Sequence, residues 1–215
     1  MGNQLKQRVM ASAIADWCGA TLRGADQELS KVTTLMDALD GALCFSKEVL
    51  QQPLRSKVAL IAPLSAIDSA PCVLAAKNPR LAFIKALNAL ESEVGFERLL
   101  EPPTIHPTAL VSHQAYLSSG AVVGAYTVIS PFAYIGENVR IGSNCTVKSG
   151  AVIGQDGFGF ERDEEKHPIR MPHLGAVRIG DNVEIGALTT VCRGAISDTV
   201  IGDHVKTDDH AHIAH

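Results

Sequence analysis

Nine aliphatic residues recur at intervals of six along the second half of the chain: Ile105, Val111, Leu117, Val123, Ile129, Ile135, Ile141, Val147 and Ile153. An α-helix repeats about every 3.6 residues and an amphipathic strand alternates, so neither produces such a series. A triangular coil does. Each side of the triangle is one six-residue strand and turn, three hexads complete a circuit, and the aliphatic residue of each hexad points inward. Stacked coils then bury a continuous column, with backbone hydrogen bonds running between coils about 4.8 Å apart. Gly124, Gly136, Gly142 and Gly154 directly follow four of the nine and read as turn residues.

The register breaks at Gln155. From there to Ala176 the sequence QDGFGFERDEEKHPIRMPHLGA is rich in charges, glycine and proline and contains no hexad. It reads as a loop thrown out of the coil, and loops on rigid scaffolds often carry function. Hexads resume at Ile179, Ile185 and Val191, slip around Gly194–Asp198, and return at Ile201, Thr207 and Ile213. The series makes about five coils. It stops within a repeat at His215, and because a solenoid's last coil needs a cap, a longer gene product is expected.

The first half reads differently. Val9, Ile14, Ala15 and Cys18 sit near helical spacing with Gly19 as a stop, and Ala82–Leu90 forms a second predicted helix. Short apolar runs at Gly41–Phe45, Val58–Ala62 and Val73–Ala76 read as strands. Glu101-Pro102-Pro103 marks a linker, since paired prolines stop a helix. The expected organisation is a small α/β domain over residues 1–101 and a β-solenoid over residues 102–215.

Composition narrows the function classes. A net charge of −4 gives no basic footprint for nucleic acid. The five cysteines are odd in number and scattered without a CxxC pair, which points to reduced thiols and a cytoplasmic setting. No long apolar run suggests a signal peptide or transmembrane segment.

Four of the eight histidines, His204, His210, His212 and His215, crowd the end of the chain beside Asp208 and Asp209. Imidazoles with carboxylates suit zinc, and in a strand His210 and His212 would share a face. A lone histidine acting as general base is the competing chemistry, because its reference pKa of about 6.5 leaves much of it neutral near pH 7. A solvated polar ladder is the third reading. His106, His113, His167 and His173 read as solvated turn residues, and Glu161–Glu165 as a solvated acidic face that could steer a basic partner.

The run IGDNVEIGALTTVCRGAISDTVIGDHVKTDDHAHIAH (Ile179–His215), with Arg193-Gly194-Ala195, Asp198-Thr199 and Ile213-Ala214-His215, resembles the UDP-3-O-(3-hydroxyacyl)glucosamine N-acyltransferases of lipid A assembly. So does DGFGF (Asp156–Phe160), and the likeness runs from about residue 9 to the end. It implies a left-handed parallel β-helix of hexapeptide repeats behind a uridine-binding α/β domain. The flat faces of such a triangular prism suit closed threefold symmetry, so a homotrimer is expected. It implies transfer of a 3-hydroxyacyl chain from acyl carrier protein to the 2-amine of UDP-3-O-acylglucosamine. The acyl group would arrive on the carrier's phosphopantetheine, so no metal and no dissociable cofactor is implied.

By the same resemblance His215 falls on the catalytic base, and Asp208, Asp209 and His212 on substrate-contacting positions. Asp209 stands where the family usually has asparagine, and His212 where glutamine is common. Gly41–Phe45 falls on a motif whose phenylalanine stacks on uracil, and Lys77-Asn78-Pro79 on a second characteristic triplet, making Phe45 and Asn78 candidate substrate contacts. After Phe45 the segment SKEVLQQPLRS is shorter than usual and lacks the family's asparagine and tyrosine. Core packing for Phe45 and a turn role for Asn78 are the competing readings. Two other functions stay open: acetyl-CoA-dependent acetylation of another nucleotide-amino sugar, and a non-catalytic binding remnant.

Overall fold

The computed structural model describes residues 3–55, 57–66, 68–98 and 101–214. They form two compact units, Met1–Glu97 with Gly159–Pro172, and Arg98–Phe158 with His173–His215. The excursion thus contributes its middle to the first unit, where the sequence suggested two consecutive segments.

The first unit contains β1 (Asn3–Met10), α1 (Ala11–Cys18), β2 (Thr21–Gly24), β3 (Glu28–Val32), β4 (Ala42–Phe45), β5 (Ala59–Pro63), β6 (Cys72–Ala76) and α2 (Pro79–Ala89). One six-stranded sheet has the order β1-β3-β4-β5-β6-β2. Strands β3 to β6 run parallel, and β1 and β2 close the edges antiparallel. Ala42, Cys44, Leu60, Ala62, Val73 and Ala75 share one core cluster. The alternate residues Leu43, Ile61 and Leu74 are as fully buried. Both faces are therefore covered, which is why these three strands read as continuous apolar runs. The edge strands, largely exposed and polar, carry no such signal.

Two helix boundaries differ from the sequence reading. Val9 belongs to β1, so α1 begins only at Ala11. It ends at Gly19 in the left-handed region (φ 70°), the conformation that lets glycine close a helix. The second helix starts before Ala82: the Asn78 side chain accepts the Leu81 N–H at 3.1 Å and Pro79 occupies the first turn. Proline is preset for that turn and has no N–H to leave unpaired.

The second unit is a stack of short parallel strands in three sheets visited in rotation. Side one holds Thr104–Ile105, Val122–Val123, Arg140–Ile141, Val177–Ile179 and Thr199–Ile201. Side two runs from Leu110–Val111 to Glu184–Ile185, and side three from Tyr116–Leu117 to His212–Ile213. Neighbouring strands pair eighteen residues apart in the first three circuits, for example Val122 with Arg140 and Ile135 with Ile153. Val123, Ile129, Ile135, Ile141, Val147 and Ile153 are at most 2% exposed. Ile105 is 43% exposed because its strand lies at the edge of its sheet.

A second inward column lies two residues before the first: Ala121, Thr127, Ala133, Val139, Cys145, Ala151, Val177, Val183 and Thr189 are all buried. Thr127 and Thr189 fit because their hydroxyls are satisfied. Thr127 donates to Gly142 O (2.7 Å) and accepts the Cys145 N–H (3.0 Å). Thr189 likewise donates to Asp208 O and accepts the Ala211 N–H.

Of the four glycines that suggested turns only Gly154 is left-handed (φ 90°), and most sharp bends fall two residues beyond the glycine column. Gly120, Tyr126, Phe132, Asn138, Asn144, Gly150, Asn182, Leu188, His204 and His210 all have φ between 55° and 71°. Only two are glycine. Gly124, Gly136 and Gly142 serve close approach instead: a Cβ on Gly142 would meet Gly180 O at 2.6 Å in the coil above.

The excursion is not a bare loop. Phe160–Arg162 and Pro168–Arg170 form an antiparallel hairpin. Glu161 pairs with Arg80 (3.1 Å) and Glu164 with Lys85 (3.0 Å), both on α2. The acidic cluster thus finds its basic partners within the first unit. His173, read as solvated, is 6% exposed.

Candidate functional site

Strands β4, β5 and β6 are parallel neighbours, so Phe45 at the end of β4 and Asn78 just after β6 lie along the carboxyl edge of one sheet. Open α/β sheets bind ligands outside that edge. Phe45 is half-buried, and its ring stacks on Phe83 with centroids 5.0 Å apart and an interplanar angle of 10°. One face is covered by this contact, so core packing accounts for part of the residue and not all of it. The Oδ1 of Asn78 is occupied in capping α2, which leaves its Nδ2 as the group available to a ligand. Asn78 also lines a cavity of about 550 Å³ with Cys18, Thr21, Lys77, Lys85 and Arg162. Phe45 does not line it, and nothing in the sequence pattern announced it.

In the second unit Asp208 and Asp209 occupy the corner between sides two and three of the last coil. Both are exposed. Asp208 Oδ1 accepts the Asp209 N–H, and Asp209 Oδ1 accepts the Ala187 N–H at 2.7 Å in the coil below. Asp181 and Asp203 make the same coil-to-coil contact, to Ser143 N and Asp181 N. Asp209 thereby has a scaffold role beside any substrate contact. Lys148 reaches Glu184 at 2.8 Å and Asp209 at 3.9 Å. Donating a hydrogen bond to Glu184 raises the Lys148 pKa, and accepting that bond lowers the pKa of Glu184.

His210 sits in a left-handed corner (φ 57°), whereas His212 lies on the side-three strand paired with Thr190. They do not share a strand face as the sequence suggested, because the corner intervenes. His215 lies outside the described residues. Among the described residues no three metal-ligating side chains come together, and no described helix is long and apolar enough to cross a membrane.

The Arg193–Asp198 segment, marked in the sequence by a slip in the hexads and by its likeness to a family motif, is well anchored. Asp198 accepts the Ala176 N–H at 2.8 Å and pairs with Arg178. Burial raises its pKa, but the Ala176 bond and the Arg178 guanidinium outweigh burial and the net shift is downward. A lowered folded-state value means stability that is present above the unfolded pKa of about 3.9 and is lost as pH falls through the folded value. Asp198→Ala is expected to cost about 2 kcal/mol at pH 7. Thermal melts should show the gap from wild type closing below about pH 4; a gap independent of pH would contradict the assignment.

Residues 120–155 match the bacterial transferase hexapeptide (six repeats) family. The chain is 34% identical to a UDP-3-O-acylglucosamine N-acyltransferase of Coxiella burnetii, over 94% of this chain and 68% of that protein. It is 31% identical to the protein of that name from Pseudomonas syringae pv. tomato, over 94% of this chain and 66% of the relative. Among solved structures it is similar to a Francisella novicida UDP-N-acetylglucosamine acyltransferase, with 24% identity over 53% of this chain and 42% of the other, and a TM-score of 0.39.

Proposed function

Because this chain belongs to the UDP-3-O-acylglucosamine N-acyltransferase family, we propose that it moves a 3-hydroxyacyl chain from acyl carrier protein to the 2-amine of UDP-3-O-acylglucosamine. It is an N-acyltransferase of lipid A biosynthesis. The observation that carries the reading is the likeness over 94% of the chain, enough to take in most of both units. The parallel stack is a closed, left-handed β-helix in this reading. Three copies associate side by side in the cytoplasm, since flat prism faces suit closed threefold symmetry.

The chemistry is acyl transfer without metal or dissociable cofactor. The amine nitrogen attacks the thioester carbonyl, the C–N bond forms, and the C–S bond breaks to release the carrier's phosphopantetheine thiol. An ammonium has no lone pair, so a base must take a proton from the attacking nitrogen. His215 is assigned that role. Backbone N–H donors would hold the oxyanion. Phe45 offers its open face to uracil, Asn78 its Nδ2, and Asp208, Asp209 and His212 the polar surface of the last coil.

Incubating the protein with 3-hydroxyacyl carrier protein and UDP-3-O-acylglucosamine should give the N-acylated sugar by mass spectrometry. Turnover only with acetyl-CoA and a different nucleotide-amino sugar would overturn the donor and acceptor together. Phe45→Leu, which keeps apolar contact with Phe83, is expected to weaken UDP-sugar binding by calorimetry about 5- to 150-fold, the worth of one base–aromatic stack. Unchanged affinity would return Phe45 to the core.

A further inference from the structure

The stack departs from its regular circuit twice, and the two departures are bonded to each other. The first is the excursion after Gln155. The second is the insertion at Gly194–Asp198, which makes Val177 pair with Thr199, and Val191 with Ile213, at a spacing of 22 residues. Both leave the stack at the end of a side-three strand, where Gln155 pairs with Cys192.

Arg193 joins the excursion's point of departure to its point of return. Its backbone N–H donates to Gln155 O at 2.9 Å, and its Nε–H donates to Gly175 O at 2.6 Å. Around this pair Leu174 N donates to Ala195 O (2.8 Å), Gly175 N to Gly194 O (3.0 Å) and Thr199 N to Ala176 O (3.0 Å). Gly175 and Gly194 are required for the close fit, since a Cβ on either would run into the Ser197 carbonyl. Arg193 is only half-exposed, so its bond to Gly175 is partly shielded from water.

The register connects this closure to the proposed site. Thr190 pairs with His212 and Val191 with Ile213, so the strand that Arg193 leaves is the neighbour of the strand bearing His212. The excursion opens with Asp156, Gly157 and Phe158, and Phe158 is 88% exposed.

We propose that Arg193 is a positioning residue: by pinning both roots of the excursion it holds Asp156–Phe158 in one orientation for acyl transfer. The inference rests on the N-acyl-transfer reading. A guanidinium suits the task because its planar fork loses little freedom when it bonds a carbonyl, and a side chain without a donor leaves the return strand tied only through its backbone. Loosening the roots spreads the segment over many orientations, and small misplacements cost rate more than affinity.

The test compares Arg193→Ala with wild type by steady-state kinetics and by hydrogen exchange. The variant should lose about tenfold or more in kcat while KM for UDP-3-O-acylglucosamine moves less than about twofold. Exchange at the Gly175 and Ala176 amides should accelerate about tenfold, with the inter-coil amides of Gly136 and Thr146 unchanged. Unchanged kcat, unchanged exchange at Gly175 and Ala176, or acceleration spread evenly over the stack would each overturn the proposal. The last would mean that Arg193 acts only on global stability. Failure of the wild type to transfer any acyl group would defeat the function reading at that control, whereas altered exchange with normal kcat defeats this proposal alone.

Discussion

Ile135→Asp should leave no cooperatively folded parallel stack at 25 °C. Ile135 is fully buried on an inner strand of side three, in register with Leu117 below and Ile153 above. Substitution removes an aliphatic side chain from a close-packed column, a loss of about 2–5 kcal/mol for comparable truncations. It also places a carboxylate among Val123, Ile129, Val139, Ile141 and Val147, which offer it no donor. An unpaired charge there either costs several kcal/mol or is neutralised by proton uptake at a similar cost. Together these approach the whole stability of an ordinary domain, about 5–15 kcal/mol. Ile135→Val is the control, with an expected loss of about 0.5–1.5 kcal/mol. Urea titration followed by far-UV circular dichroism distinguishes the two. A cooperative transition for Ile135→Asp near the wild-type midpoint would mean that the hexad column does not carry the stack.

His215→Ala should lower kcat for N-acyl transfer by about 10²–10⁴-fold while leaving UDP-sugar affinity nearly unchanged. A general base acts on a proton that moves in the transition state, so its removal is felt in the rate constant and little in ground-state binding. The acid limb of the pH–rate profile offers a second readout. Wild-type kcat should fall on the acid side of the profile, because a protonated imidazole cannot accept a proton. The variant should lack that inflection. Normal rates in His215→Ala, or restoration by added zinc of activity lost to a chelator, would move the chemistry to another group and return the terminal histidines to a metal reading.

The candidate site was legible to unequal depth. The Asn78-Pro79 pair suggested a turn, and in place it caps α2, because a side-chain oxygen beside a proline answers the open N–H groups of a first helical turn. Phe45 was legible as an aromatic strand end, but its stack on Phe83 required knowing that α2 crosses β4. Asp209 was seen as a substrate contact, and its bond to Ala187 N emerges only when coils are superposed. The sequence offers Arg193 only as part of a family motif, and its bond to Gly175 O is not legible there because eighteen residues separate the two.

What the sequence alone determined is the repeat. Inward and outward alternation is set within each hexad, so Val123, Ile135 and Val147 had to face the core wherever the rest of the chain went, and all three do. The breaks at Gln155 and Gly194 were equally plain, since a missing aliphatic is itself a local signal. Tertiary structure decided what fills the spaces between those signals. The second buried column of Ala121, Thr127 and Cys145 is chosen by the volume left beside the aliphatics, and threonine enters it only because a neighbouring coil answers its hydroxyl. His173 is buried and Glu161 and Glu164 are ion-paired for the same kind of reason: their partners or surroundings come from distant parts of the chain. A periodic pattern records what each residue needs from its nearest neighbours, whereas charge pairing and the burial of polar groups depend on which remote groups the fold brings within a few ångströms.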